Sequence, residues 1–185
     1  ADHCGALAMI RAASQILRGG NAPASARIVL IVVCGSVYGA VLGGFGIDTP
    51  NGWKQSLCSA AKAPMLLTVS FLLGLPSYFV LNSLAGLRSD FAAALRALTE
   101  SQAVVAVALA SLAPFTALWY ASSGSYAGAQ MFNGAMFALA TLAAQVVLRR
   151  RYRPLIANDP RHRVMLLVWL ILYWFVAIQM AWVLR

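Results

Sequence analysis

Six arginines fall within fifteen residues in the run Arg149-Arg150-Arg151-Tyr152-Arg153-Pro154 and the Asn158-Asp159-Pro160-Arg161-His162-Arg163 that follows it. Arg149, Arg150, Arg151, Arg153, Arg161 and Arg163 lie beside two apolar stretches, where guanidinium groups attract anionic headgroups by about 1 kcal/mol each. The same pattern also serves as a topology determinant. A second set is a helical stripe of Gln130, Asn133, Phe137, Thr141 and Gln145, which points three amides and a hydroxyl the same way. Lipid tails cannot satisfy these groups, so they bond between helices, line a solute or cofactor cavity, or meet another protein. Third, Gly35, Gly39 and Gly43 recur every fourth residue, a doubled G-x-x-x-G that admits a second helix backbone at close range.

Templates for bond-making chemistry are not met. The five acids, Asp2, Asp48, Asp90, Glu100 and Asp159, are scattered over separate connections, and G-x-S-x-G, H-E-x-x-H and a phosphate-cradling glycine loop are all missing. His3 and His162 fall outside the apolar stretches, so facing membrane helices cannot hold a haem between histidines. Cys4, Cys34 and Cys58 are an odd number at unrelated spacings, with no metal-site or disulfide pattern. The expectation is no catalytic residue, no metal and no cofactor.

The elements that position these residues follow from composition. Of 185 residues, 61% are apolar and 10% charged, with a mean hydropathy of +0.76, which is membrane composition. A bilayer core of about 30 Å needs roughly 20 apolar residues. Windows of about that length run over 26–47, 63–84, 102–121, 128–148 and 164–184. The expected fold is therefore an all-α polytopic transmembrane bundle of five spans over 25–185, preceded by an interfacial segment, 1–24. In that segment Leu7, Ile10, Ala13 and Leu17 oppose Arg11, Gln15 and Arg18 over residues 6–18, as in a helix lying on the membrane surface. Residues 90–101 form a second amphipathic helix, with Ser89 or Asp90 as N-cap and an Arg96–Glu100 pair one turn apart, running toward the third span. Pro64, Pro76 and Pro114 bend the second and third spans. In the fifth span Trp169, Tyr173 and Trp174 lie deep and need partners, while Trp182 anchors at the headgroups.

The net charge of +9 sits between apolar stretches, not along an exposed face, which excludes nucleic acid as a first partner. With the N-terminus in the cytoplasm, eleven arginines lie inside and Lys54, Lys62 and Arg185 outside, the asymmetry expected of a cytoplasmic membrane. No ionisable residue occupies a central portion of a span; Arg27, Lys62 and Arg163 lie at ends, where they snorkel. This argues against ion pumping or proton coupling.

The span count and the small-residue first span with Val37-Tyr38-Gly39 resemble the Yip family of Rab-interacting membrane proteins, which implies a five-span, non-enzymatic, membrane-organising role. The chain is also similar to an uncharacterised family of bacterial polytopic membrane proteins over residues 26–185. That similarity is carried by Leu81-Asn82-Ser83-Leu84-Ala85-Gly86-Leu87-Arg88, Arg150-Arg151-Tyr152-Arg153-Pro154-Leu155-Ile156 and Gln179-Met180-Ala181-Trp182-Val183-Leu184-Arg185. Its members continue past this last stretch with a further hydrophobic segment, which implies a sixth span. The leading expectation is a non-catalytic accessory or scaffold subunit of a larger assembly in the bacterial inner membrane, with other membrane-protein subunits and anionic lipids as partners. The rival is a small channel or carrier for a neutral or lipidic solute. An open polar cavity around Asn133 favours the rival; packed amides and a glycine seam shared with another chain favour the subunit.

Overall fold

The structure is a computed structural model and describes residues 9–16, 23–46 and 52–183. Leu7, Leu17, Arg18, Asp48, Arg185 and the three residues His3, Cys4 and Asp2 lie outside the described residues, as does the Trp182 side chain. Helix α1 (9–16) is followed by α2 (Ala24–Gly43), α3 (Gly52–Leu84), α4 (Phe91–Ser122), α5 (Tyr126–Asn158) and α6 (Arg161–Val183), with single 3-10 turns at Gly44–Gly46 and Arg88–Asp90. Among the described residues there is no strand. Five of the helices are long and apolar enough to cross a membrane, so the chain is an all-α polytopic membrane bundle.

The helices exceed the expected spans. At 33, 32 and 33 residues, α3, α4 and α5 are each about 50 Å long at 1.5 Å per residue, well beyond a core of about 30 Å. The amphipathic 90–101 segment and the third span are one continuous helix, α4, and the arginine run that seemed to end the fourth span is its helical continuation through Pro154. α3 begins ten residues ahead of Lys62 and runs through Pro64 and Pro76. The shared arginine-bearing end of the bundle holds the start of α2, the α3–α4 turn and the α5–α6 turn.

Local chemistry fixes those turns. Gly86 takes φ 78°, the left-handed region open to glycine, so that Leu87 N–H can reach the Asn82 carbonyl at 3.0 Å while the Asn82 side chain donates to the Leu87 carbonyl at 2.9 Å. Asp159 accepts from Arg161 N–H at 2.9 Å to start α6. At the opposite end Ser125 caps α5, accepting from Gly128 N–H at 3.2 Å. Asp90 precedes α4 without a side-chain capping bond, its carboxylate being taken up by His162; the expected cap role is replaced by a tertiary one.

Two cores organise the packing. One joins Ile16 of α1 with Leu30 and Tyr38 of α2, Leu67 of α3, Ala103 to Ala106 and Leu109 of α4, and Ala140 and Ala144 of α5. The other gathers Phe71 and Tyr78 of α3, Leu98 of α4, Leu148 and Tyr152 of α5, and Trp169 and Tyr173 of α6 toward the arginine end. The buried face of α1 differs from expectation. Ala12 and Ile16 are buried and Ala13 is only partly so, whereas Ile10 is 65% exposed. The helix packs its Ala12–Ile16 edge onto protein and turns Ile10 outward, because α4 offers the small residue Ala103 beside Val104 there.

Candidate ligand cavity

The glycine seam is filled from within the chain. A Cβ on Gly35 would lie 3.2 Å from Pro64, one on Gly43 would lie 2.6 Å from Ser56 Cα, and one on Gly39 would run into the Ser59 carbonyl. The three glycines bring the α2 and α3 backbones together over two turns, which places the Ser56–Lys62 face of α3 beside the outer part of α2. Ser56 Oγ donates to the Ala40 carbonyl at 2.8 Å across that contact. The close pairing holds α3 against α2 and leaves the space on its other side to be bounded by α5 and α6.

That space is a half-open cavity of about 670 Å³, lined by residues of all five long helices and of the Gly44–Gly46 turn. This is the size of sites that take one small molecule, roughly 300–1,000 Å³. The stripe recognised in the sequence forms one wall. Tyr126, Gln130, Asn133, Phe137 and Thr141 of α5 all face it, so the wall extends about 22 Å along the helix at 1.5 Å per residue. Gln145, one turn further, is not part of the lining; its carboxamide oxygen is buried without a protein partner.

The amides are partly satisfied. Asn133 donates through Nδ2 to Tyr120 Oη at 2.6 Å, and Gln130 through Nε2 to Tyr126 Oη at 3.2 Å. Phe45 sits edge-on to Tyr120, ring centroids 5.1 Å apart, and both line the cavity. Tyr173 donates to Gln102 Oε1 at 3.2 Å, which gives one deep aromatic of α6 its partner. Two polar atoms remain buried with no protein partner at the lining: Asn133 Oδ1 and the Oγ of Ser70, a residue 1% exposed. Leaving such atoms unpaired costs about 1–3 kcal/mol each; neither has surface open to the cavity, so the hydrogen-bonding character of the wall rests on the exposed Gln130 and part-exposed Asn133 side chains.

Lys62 also lines the cavity. It lies ten residues inside α3 and level with Gly39, since Gly39 abuts Ala60 and Ala63 on either side of it. The sequence reading left it at a span end; the extra three turns of α3 place it inside.

The predicted arginine patch divides. Arg149, Arg150, Arg153, Arg161 and Arg163 are exposed, with Arg161 also donating to the Ala85 carbonyl at 3.4 Å. Arg151 instead reaches Glu100, Nε to Oε2 at 2.8 Å. Arg27 approaches the other oxygen at 3.8 Å and donates to Thr99 Oγ1 at 2.9 Å and the Arg96 carbonyl at 3.2 Å. Glu100 is thus the buried centre of an ion cluster joining α2, α4 and α5, and not the partner of exposed Arg96. Sequence spacing alone favoured the wrong arginine. Its signal was an acid on the arginine-rich side of an apolar span.

His162, which by sequence only falls outside the apolar stretches, has a tertiary role. Fully buried, it holds Asp90 at 3.0 Å through Nε2 and lies edge-on to Tyr152, whose hydroxyl is 2.7 Å from that of Tyr78. Among the described residues no group of three or more His, Cys, Asp or Glu is placed to hold a metal ion.

Fold and cavity together define the class: a polytopic α-helical membrane bundle whose described residues form a half-open, mostly apolar cavity with a few polar groups. No protein-family model, curated protein or solved structure matches the chain.

Proposed function

We propose that this protein is a non-catalytic carrier for a small amphipathic or lipidic solute, held in the cavity between α3, α5 and α6. The observation that carries the reading is the wall of Gln130, Asn133, Phe137 and Thr141 facing that cavity. Mostly apolar walls with a few placed polar groups suit an amphiphile better than an ion. The described acids lie away from the lining, which removes the usual ligands of cations. Orientation with the arginine end in the cytoplasm of a bacterial cell satisfies the positive-inside rule, and the five exposed arginines there then meet anionic headgroups.

The accessory-subunit reading loses its main packing argument, because the glycine seam is occupied by α3 of the same chain. The exposed apolar faces of α5 and α6 suit lipid equally well.

The test uses the full chain in phosphatidylcholine nanodiscs with radiolabelled sixteen-carbon amphiphiles. Saturable binding near one per chain is expected. Gly134→Phe should weaken it at least tenfold at unchanged melting temperature, because Gly134 lines the cavity and a Cβ there meets open space. Binding that stays non-saturable, or that ignores Gly134→Phe, would overturn the proposal. Protein-dependent transfer of the same probe between vesicles tests the carrier step.

A further inference from the structure

Resting on the cavity-binding reading, we infer that the ligand is a single-chain anionic amphiphile whose headgroup sits on Lys62. The argument begins with depth. Gly39, level with Lys62, is twelve residues beyond Arg27 on α2, about 18 Å at 1.5 Å per residue. With Arg27, Glu100 and Arg151 marking one face of a core of about 30 Å, the Lys62 backbone lies about 12 Å short of the other. An ammonium at that depth is costly unless it snorkels or meets a counter-charge, and Lys62 is exposed where it borders the half-open cavity.

Among the described residues none supplies the counter-charge. Among the described residues, the acids in ion pairs are Glu100 and Asp90, whose partners are Arg27, Arg151 and His162, and none of the described acids lines the cavity. Lys62 is therefore, among the described residues, the one formally charged residue of the lining, and a bound anion would neutralise it, the pair being stronger there than in bulk water.

The walls fit a chain attached to that anion. Around and outward of Lys62 the lining is polar, with Gln55, Ser59, Gln130 and Asn133. Deeper, toward Tyr173, it is built mainly from Leu66, Leu67, Val105, Trp174 and Ile178. Inward of Asn133 the wall runs on to Thr141, about 12 Å at 1.5 Å per residue and close to one leaflet's acyl depth, about half of the 30 Å core, and so admits most of one chain. The volume, about 670 Å³, suits one chain.

The experiment compares hexadecanoate, hexadecyl phosphate and hexadecanol, each binding to the full chain in phosphatidylcholine nanodiscs. Either anion should bind at least tenfold more tightly than the alcohol, and the tighter anion identifies the head. Lys62→Met should abolish that preference while hexadecanol binding stays within twofold, and Lys62→Glu should reverse it toward hexadecylammonium. Equal binding of anions and alcohol, both abolished by Gly134→Phe, would overturn the role of Lys62 and leave the cavity reading standing. Absence of saturable binding for every probe would overturn both. Anion preference that survives Lys62→Met would also overturn the assignment, and the hexadecanol arm reports whether that variant is folded.

Discussion

Glu100 Oε2 lies 2.8 Å from Nε of Arg151, with the Glu100 side chain 2% exposed. A carboxylate so placed ties the start of α4 to the far end of α5, and through Arg27 to the start of α2. Since burying the pair costs desolvation energy that its attraction roughly offsets, the cluster adds little net stability over an apolar replacement. Its loss on one side is another matter. Glu100→Ala leaves two arginines facing each other and should destabilise by about 3–5 kcal/mol, read as a shifted midpoint in detergent-titration unfolding. Glu100→Met with Arg151→Met should recover much of that loss; a single-variant cost below about 0.5 kcal/mol would contradict a buried cluster.

Gly39→Leu should prevent close approach of α2 and α3, because even a Cβ meets the Ser59 carbonyl and Ala60 Cα. Backbone cannot give way as a flexible side chain does, so a cost of about 3 kcal/mol or more is expected, at the upper end of overpacking effects. The control is Gly44→Ala, where nothing lies within 4 Å. Equal yields and melting temperatures for the two variants would show that the seam is not closed as described.

His162 and Asp90 join the starts of α6 and α4. Asp90→Ala should cost about 1–3 kcal/mol, the penalty for stranding a buried polar partner. Hydrogen exchange at the first turns of both helices should rise together. A rise confined to α4 would mean that His162 is held by something else.

The hydroxyls of Tyr78 and Tyr152 form a buried bond at 2.7 Å between α3 and α5. Replacing one tyrosine by phenylalanine strands the other hydroxyl, at about 1–3 kcal/mol, whereas the double replacement should cost less than the sum of the two. An additive cycle would rule out direct coupling.

Span number and order were readable from the sequence because long apolar windows have few alternatives in a membrane. Helix length was not. The Gly52–Ala61, Phe91–Ser101 and Arg149–Asn158 extensions carry polar and charged residues that break the apolar window, yet remain helical through tertiary partners such as Arg27, Glu100 and Arg151. The same reason hid the depth of Lys62. The amide stripe was legible from its helical spacing, since period alone decides which side chains share a face. What it faced was not legible, because that depends on where α6 lies. Glu100 was misassigned for a related reason: spacing exposes the neighbour one turn away but carries no information on arginines from two other helices.

Beyond Tyr173, none of the α6 residues through Gln179 is buried, although Trp174, Ala177 and Ile178 border the cavity. Among the residues of this helix with described side chains, the buried anchors His162, Met165, Leu166, Trp169 and Tyr173 all lie within its first thirteen residues. α6 is therefore anchored from its arginine end, and the expected outcome is that a ligand displaces its outer residues before it disturbs either core. Spin labels at Ser59 and Ile178 should report a broad distance distribution that narrows with ligand, while a pair at Leu95 and Val168 stays narrow throughout.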